Sequence, residues 1–192
     1  MLSVIAAVSQ NGVIGLDNSI PWKCKTDMKY FKDLTMDNIV IMGNKTFQSL
    51  FDHMKDSHNE PLPGRLKFVI TNHPETFVMP YNWNNTIVIK PESKEDFIAY
   101  LRKHYPHKIH FVMGGTQIYE YFLGAYSAAY ITRIGCNITP ETNKEVVHYL
   151  PLKDSVLNSD FDLLYSKSVP ADAENNCSMI FEQWSLKNQI GI

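Results

Sequence analysis

One acidic residue, Asp27, stands among apolar residues at a spacing that could place its carboxylate in a ligand pocket. It belongs to the stretch GLDNSIPWKCKTDMKYF, residues 15–31. In a helix, Asp27, Phe31 and Leu34 would share one face, because residues three and four positions apart are neighbours. Such a carboxylate could bind a ligand, but an Asp in a first helical turn also serves as an exposed cap. Thr26 would be an equally good cap, so the residues alone leave both roles of Asp27 open.

Two strand-to-helix turns have the composition of anion-binding sites. VMGGTQIYEYF places Gly114 and Gly115 between an apolar run and a helix, and IMGNKTF places Lys45 and Thr46 directly after Gly43 and the following Asn. Glycines let a backbone approach a ligand closely, and free N–H groups at a helix start attract phosphate. A Gly-Gly pair can also be plain turn chemistry, and the GxGxxG fingerprint is absent. Two such turns in one sheet nevertheless indicate a dinucleotide.

A third motif, PLPGR at residues 61–65, is a rigid turn that delivers Arg65 to the start of a strand. An arginine held in this way can grip a carboxylate through two hydrogen bonds. A solvated arginine at a strand end is an equal alternative from this motif alone.

The series His104, His107 and His110 has a spacing that superficially suits metal ligands. Pro106 would break any helix there, so the three side chains would not converge on one face. We therefore predict a solvated helix end leading into a strand, and no metal site.

Composition limits the class of protein. The chain has 192 residues, 44% of them hydrophobic and 20% charged, with a formal net charge of -2. This predicts one domain spanning residues 1–192, without a basic run for nucleic acid or an apolar run long enough for a membrane. The N-terminus has no basic leader, and three scattered cysteines, Cys24, Cys136 and Cys177, form no CxxC pair. We expect reduced thiols and a cytoplasmic location.

Short apolar runs alternate with segments of helical period, which predicts an α/β sheet with crossover connections. The tail differs, because two apolar segments flank the polar ADAENN and indicate an antiparallel hairpin at the sheet edge. Residues 52–60 are predicted as a surface insertion and residues 135–150 as a long loop. The predicted strands cover residues 2–8, 39–43, 67–71, 86–90, 109–115 and 129–134, the helices residues 45–54, 93–104 and 116–123, and the hairpin strands residues 161–170 and 177–186.

Taken together, these motifs resemble the dihydrofolate reductase family nearly end to end. The resemblance rests on SVIAAVSQNGVIG, IPWKCKTDMKYFK, VIMGNKTFQSL, PLPGR, VMGGTQIYEYF, AYITRI and a closing Phe181-Glu182. It implies a mainly parallel eight-stranded sheet flanked by about four helices, with an antiparallel C-terminal hairpin. It also implies NADPH-dependent reduction of 7,8-dihydrofolate to tetrahydrofolate by a monomer that binds antifolates.

The resemblance assigns the substrate site. Asp27 would accept hydrogen bonds from the pterin edge with support from Thr132, and Arg65 would hold the glutamate α-carboxylate. Trp22 would brace the pocket, and Ile20 would close over the nicotinamide as part of a mobile loop, Ser9–Cys24. The remaining substrate contacts would be Ile5, Met28, Phe31, Leu50 and Leu62.

The resemblance also implies a cofactor site, whose preference for NADPH would rest mainly on Lys45. Asn44 and Gln117 stand where many or some relatives carry a further basic residue, which makes cofactor choice the least secure expectation. The implied cofactor contacts are Ala7, Ile14, Gly15, Ser19, Gly43, Lys45, Thr46, Thr71, Asn72, Lys90, Gly114, Gly115, Thr116, Gln117, Ile118 and Tyr119.

Two rival functions share this fold. A reductase of a ribosylaminopyrimidine would use the same cofactor but would not be expected to retain Trp22, Asp27, Phe31 and Arg65 together. A non-catalytic nucleotide-binding or assembly protein would not need Asp27, Thr132 and the loop residues intact. Both rivals are therefore weaker than the reductase of dihydrofolate.

Overall fold

The computed structural model describes residues 1–17, 19–52, 54, 59–79 and 83–187. Within these residues the chain forms ten strands and five α-helices. In chain order they are β1 (Leu2–Ser9), β2 (Val13–Leu16), α1 (Lys25–Thr35), β3 (Ile39–Gly43), α2 (Asn44–Asp52), β4 (Leu66–Ile70), a 3₁₀ helix (Pro74–Thr76), β5 (Thr86–Ile89), α3 (Lys94–His104), β6 (His110–Val112), α4 (Thr116–Tyr121), β7 (Ala128–Ile134), β8 (Val147–Tyr149), α5 (Asp154–Asp160), β9 (Phe161–Val169) and β10 (Met179–Leu186).

Eight strands form one sheet in the order β5-β4-β3-β6-β1-β7-β10-β9. Six of them, β5 to β7 in this order, are parallel, whereas β10 runs antiparallel to both β7 and β9. The apolar, non-alternating runs predicted such strands, because a parallel sheet is covered on both faces. The predicted mainly parallel eight-stranded sheet with a C-terminal antiparallel hairpin is confirmed.

Two apolar cores lie on the two faces of this sheet. Consecutive strand residues point to opposite faces, and the neighbours Val4 and Ile5 accordingly belong to different buried clusters. The cluster of Ile5 includes Phe31 of α1 and Phe47 of α2. The cluster of Val4 includes apolar side chains of α3, α4 and α5. Helices α1 and α2 therefore cover the sheet face that carries Ile5.

The structure adds elements that the sequence did not predict. Residues 135–150 were predicted as a loop, but they contain β8, which pairs with β2 in a separate two-stranded antiparallel sheet. A fifth helix, α5, precedes the hairpin. The predicted insertion at residues 52–60 lies mostly outside the described residues. No helix in the described part of the chain is both long enough and apolar enough to cross a membrane.

Candidate active site

The ends of four parallel strands bring predicted cofactor residues to one edge of the sheet. Strands β5, β4, β3 and β6 are consecutive neighbours, and Lys90, Thr71, Gly43 and Gly114 stand at or just after their carboxyl ends. Open α/β sheets bind ligands in the crevice at this edge. The chain order and the sheet order together therefore collect these four residues in one place.

Asp27 is in the first turn of α1, yet it is buried, with 8% of its surface exposed. The N-cap residue is Cys24, which makes no side-chain cap hydrogen bond. Instead, the Asn175 side chain accepts a hydrogen bond from the Thr26 amide at 3.0 Å. The alternative of Thr26 as the cap is wrong, because the cap position is Cys24, two residues earlier. Asp27 is not an exposed cap either, because it is buried.

The Asp27 carboxylate is hydrogen-bonded to the Thr132 side chain of β7. Burial raises the pKa of Asp27 above its ordinary value, and the Thr132 hydrogen bond partly opposes that rise. Thr132 is itself buried and lies opposite Ala7 of β1 in the parallel ladder. The predicted acid, its supporting hydroxyl and the Ala7 position are therefore brought together by α1, β7 and β1.

Four of the residues predicted to contact substrate form part of one apolar cluster beneath α1 and α2. Ile5 is in its buried core, and Phe31, Leu50 and Leu62 are partly buried against it. Met28, by contrast, is 56% exposed and does not belong to this cluster. The cluster gives a carboxylate on α1 an apolar neighbourhood, as the helical spacing of Asp27 and Phe31 predicted.

Arg65 is buried, with only 5% of its surface exposed, so the alternative of a solvated arginine at a strand end is wrong. Its Nε atom has no hydrogen-bond partner in the described structure. Burial lowers the pKa of the guanidinium, an effect that Asp37 and Glu60 oppose. A buried N–H without a partner is costly, so this group is suited to receive an acceptor from a ligand.

A buried ion pair beside Arg65 was not predicted. The Lys67 side chain is fully buried in β4, and its Nζ donates to Glu60 Oε1 at 2.6 Å and to the Arg65 carbonyl at 3.2 Å. Burial lowers the pKa of Lys67, and Glu60 opposes that effect. Lys67 thus compensates the negative charge of Glu60, the acid that precedes the PLPGR turn. The sequence offered one signal, a lysine inside an apolar strand.

The two glycine turns meet at the carboxyl edge. The Gly43 amide donates to the Gly114 carbonyl at 2.9 Å, and the Gly114-Gly115 peptide bond is cis. A Cβ added to Gly43 would lie 3.0 Å from Ile118, and one added to Gly115 would lie 3.3 Å from Thr46 Oγ1. Any side chain here would fill the space between the two turns. The glycines therefore let the two turns pack closely against each other.

Gly114 also has a backbone conformation that requires glycine, with φ of +116°. A Cβ here would lie 3.3 Å from the ring of Tyr119. Tyr119 is buried, its hydroxyl donates to the Ile5 carbonyl at 2.8 Å, and burial raises its pKa. Tyr119 therefore links the turn after β6 to β1, on which Ala7 also lies.

The other predicted cofactor residues line the same edge and are more exposed. Lys45 is exposed in the first turn of α2. Thr116 is held by a hydrogen bond of 3.4 Å to the Tyr149 carbonyl in β8. The exposed members are Ser19, Lys45, Asn72, Lys90 and Gln117, and the partly exposed ones are Ile14, Gly15, Thr46, Thr71 and Ile118.

Loop 9–24 is tied to two other segments. Toward residues 136–150, β2 pairs with β8, Gln10 donates to the Cys136 carbonyl, and the Asp17 carboxylate accepts from the Val146 amide at 2.8 Å. Toward the hairpin, the backbone of Lys23 exchanges hydrogen bonds with Asn176. Sequence reasoning missed both sets of contacts.

Trp22 and Ile20 of this loop lie in different environments. Trp22 is buried, with 7% exposure, whereas Ile20 is 55% exposed. A cleft of about 480 Å³ opens between Trp22, Met28 and the Asp172–Asn176 part of the hairpin connection. No group of three or more His, Cys, Asp or Glu residues in the described ranges is placed to hold a metal ion.

Comparison with known proteins agrees with the motifs. The sequence model of the dihydrofolate reductase family matches residues 1–186. Dihydrofolate reductase type 9 of Escherichia coli is 31% identical over 201 aligned residues, which cover 98% of this chain and 95% of that protein. Dihydrofolate reductase of Buchnera aphidicola subsp. Schizaphis graminum (strain Sg) is 35% identical over 136 residues, 71% of this chain and 73% of that protein.

A solved structure agrees at the level of the fold. Dihydrofolate reductase from Enterococcus faecalis, complexed with NADP(H) and RAB-propyl, has a TM-score of 0.76 over 98% of this chain and 97% of that chain, at 24% identity. The predicted family is confirmed by the model match over residues 1–186 and by the relatives above 30% identity. This chain belongs to the dihydrofolate reductase family.

Proposed function

We propose that this chain reduces 7,8-dihydrofolate to 5,6,7,8-tetrahydrofolate with NADPH. One observation carries the proposal beyond family membership. A carboxylate, Asp27, is buried on the face of α1 that also carries Phe31, and its recorded partner is the Thr132 side chain. A buried acid with apolar neighbours is costly unless a ligand uses it.

A pterin explains that arrangement. Its faces are flat and apolar, whereas one edge carries an amino group and ring N–H donors. Asp27 would accept hydrogen bonds from that edge, and Ile5 and Phe31 would pack against the ring faces. Thr132 would hold the carboxylate in place and support the pterin amino group. Met28 and Ile20 are exposed and would be covered by the bound ring systems.

The tail of the substrate would use the second buried charge. Arg65 has an unpartnered buried Nε, and a glutamate α-carboxylate supplies the acceptor that this group lacks. Leu50 and Leu62 lie in the cluster of Ile5 and Phe31, so they would pack on the benzoyl ring between pterin and tail. In this arrangement Asp27 would bind the pterin end of the substrate, and Arg65 would bind its glutamate end.

The carboxyl edge of the sheet fits the cofactor. Gly43 and Gly115 let the two strand-to-helix turns approach closely, so a phosphate-bearing backbone would lie against the helix starts that follow them. Lys45 at the start of α2 would pair with the 2′-phosphate. NADPH, when bound, supplies the hydride that passes from nicotinamide C4 to pterin C6. Thr71, Asn72 and Lys90 would lie toward the adenosine end, because β4 and β5 are the outer strands on that side.

Asp27 would act electrostatically rather than as the immediate proton donor. Its charge favours a protonated, electrophilic pterin, and the proton at N5 would come from water. Trp22 and Ile20 would close loop 9–24 over the reacting rings and exclude further solvent. Tyr119 would position the turn at Gly114 by its hydrogen bond to Ile5.

The setting of the protein is part of this proposal. We propose a cytoplasmic monomer that binds dihydrofolate and antifolates in the same pocket, without nucleic acid or membrane partners. The three cysteines are free thiols in the structure, which agrees with a reducing compartment.

The test follows NADPH absorbance with the full chain, with and without dihydrofolate. Consumption that requires dihydrofolate supports the proposal. Consumption with a ribosylaminopyrimidine instead would overturn it in favour of the related pyrimidine reductase activity. NADPH binding without consumption of either substrate would overturn it in favour of a non-catalytic nucleotide-binding protein.

A further inference from the structure

Three cysteines that are far apart in the sequence lie in one cluster. Cys24 ends loop 9–24, Cys136 follows β7, and Cys177 precedes β10. All three belong to the apolar cluster that also contains Trp22, Ile134 and Met179. The three cysteines are scattered in the sequence, but they are neighbours in the folded chain.

The strand register points to Cys136 and Cys177 as the next facing pair beyond the β7–β10 ladder. Strands β7 and β10 are antiparallel with Ile134 opposite Met179. The ladder continues one step further, because the Gly135 amide donates to the Ser178 carbonyl at 2.8 Å. Continued by one further position, this register would set Cys136 opposite Cys177, with Ile134 and Met179 as the preceding pair on that side.

In that register the pair would occupy the type of position at which side chains approach most closely. Hydrogen-bonded and non-hydrogen-bonded pairs alternate along an antiparallel ladder, and Gly135 and Ser178 form the hydrogen-bonded kind. The Cα atoms of a non-hydrogen-bonded pair are about 4.5 Å apart, within the roughly 4.4–6.8 Å span of a disulfide. The two thiols are also close enough for Cys177 to raise the pKa of the Cys136 thiol.

We propose that Cys136 and Cys177 form an oxidisable dithiol, which a low-molecular-weight disulfide such as glutathione disulfide converts to a cross-strand disulfide. Cys136 is partly exposed and Cys177 is buried, so Cys136 reacts first. Its thiolate attacks one sulfur of the small disulfide, and a mixed disulfide forms as one small thiolate leaves and is protonated. The Cys177 thiolate then attacks the Cys136 sulfur and releases the second small thiol. Two protein thiols are oxidised by two electrons, and one small disulfide is reduced to two thiols.

Cys24 is the third thiol but not the proposed partner. Its sulfur lies 3.8 Å from the Cys177 carbonyl oxygen and 3.8 Å from Asn176 Oδ1, so it faces the backbone and side chain of the hairpin connection. No ladder position sets it opposite either of the other cysteines. This makes Cys24 the matched control.

The disulfide would join the two segments that hold loop 9–24. The carbonyl of Cys136 accepts a hydrogen bond from Gln10 at one end of that loop, and Asn176, next to Cys177, binds Lys23 at the other end. Oxidation would link the Cys136 segment to the Cys177 segment by a covalent bond. We expect it to restrict the loop and to slow turnover wherever loop opening limits the rate.

Peptide mapping of the full chain tests the pairing without reference to any activity. Trypsin separates the three cysteines, because Cys136 lies in residues 134–144, Cys177 in residues 168–187 and Cys24 in residues 24–25. The protein is equilibrated with glutathione disulfide, alkylated and digested without reduction. Burial and Cys177 raise the pKa of the Cys136 thiol to about 12, so exchange is slow and the reaction is followed to equilibrium.

The expected result is loss of two of the three thiols and a cross-linked peptide joining residues 134–144 to 168–187. Cys24→Ser should give the same product, whereas Cys136→Ser and Cys177→Ser should give no internal cross-link. Three unreacted thiols, mixed disulfides alone, or a link to residues 24–25 would each overturn the proposal.

A second measurement does not depend on the variants. The bond closes a loop of some forty residues in the unfolded chain, so the oxidised wild type should melt about 5–10 °C higher than the reduced form. Dithiothreitol should reverse the shift. A Tm that does not rise, with the cross-link present, would mean that the pair does not fit a relaxed disulfide. Amide hydrogen exchange in loop 9–24 that is unchanged by oxidation would overturn the inferred restriction of that loop.

Discussion

Asp27 and Thr132 are hydrogen-bonded across the junction of α1 and β7. This contact joins the helix that follows loop 9–24 to the strand next to β1. It places an acid whose pKa is raised by burial beside the Ala7 position, where the cofactor and substrate would meet. The catalytic and the structural consequences of this one carboxylate are separable by experiment.

The Asp27→Asn variant should retain NADPH binding and lose turnover at neutral pH by on the order of 10²-fold or more. The amide has the shape of the acid but no charge to favour a protonated pterin. Lower pH should partly restore its rate, as the substrate is protonated from solution. Asp33→Asn is the control, because it removes the same charge from an exposed position of the same helix. A neutral-pH kcat within about threefold of wild type would refute the assignment of Asp27.

The same substitution should make the ligand-free protein more stable at neutral pH. Because the folded state raises the pKa of Asp27, the folded protein holds a proton that the unfolded chain loses above about pH 3.9. The free energy of unfolding therefore falls as pH rises from that value through the folded pKa. Asn cannot titrate, so Tm at pH 7 should be above that of the wild type, with the difference closing toward pH 4. Thermal melts at several pH values measure this, and a lower Tm at pH 7 would contradict it.

Arg65→Leu should raise the KM for dihydrofolate by about tenfold or more with a smaller effect on kcat. The guanidinium would bind the tail, which lies away from the hydride centre, and a charge-assisted pair contributes about 1.5–3 kcal/mol. A pterin substrate without glutamate is the internal control, since it should be nearly indifferent to the change. Equal losses on both substrates would show that buried Arg65 only supports the fold.

Lys45→Gln should weaken NADPH binding much more than NADH binding. The ammonium group would pair with the 2′-phosphate, which NADH lacks, so kcat/KM for NADPH should fall by about tenfold or more. Lys103→Gln, on α3 over the opposite sheet face, removes the same charge and should leave both cofactors unchanged. Comparable kcat/KM values for the two cofactors in the wild type would contradict the preference itself.

Gly114→Ala should lower both stability and NADPH affinity. Its φ of +116° strains any side chain, and the new methyl group would press on the Tyr119 ring at 3.3 Å. Gly124→Ala is a matched control, with φ of +78° but open space around the added Cβ. Both variants should lose roughly 1–3 kcal/mol of stability to backbone strain, and Gly114→Ala should lose more. Only Gly114→Ala should change the Kd for NADPH.

The large elements of the fold were predictable because their patterns are long and local. The apolar strands of the parallel sheet, the Ser93 cap of α3 and the face shared by Asp27 and Phe31 all appear as expected, with the Asp96 amide donating to Ser93 Oγ at 3.1 Å. Strands β2 and β8 were not predicted, because three or four residues are too few to show a hydrophobic period. Helix α5 was not predicted for the same reason, because its seven residues bury only one leucine and so show no apolar face in the sequence.

The residues of the candidate site could be proposed from the sequence, whereas the contacts between them could not. The cap of α1 comes from Asn175, and the pairing of Cys136 with Cys177 depends on the β7–β10 register. Both contacts join distant parts of the chain, and no local propensity encodes them. The Lys67–Glu60 pair is similar, since its lysine is fixed by strand burial and its acid by the entry to the PLPGR turn.

The pairing of β2 with β8 also bears on how this protein could change during evolution. An insertion or deletion between residues 137 and 146 would shift β8 along β2 or pull the two strands apart. Either outcome would alter access to the crevice without replacing a residue that touches a ligand. Selection for turnover or drug tolerance could therefore act on the length of the segment 137–146.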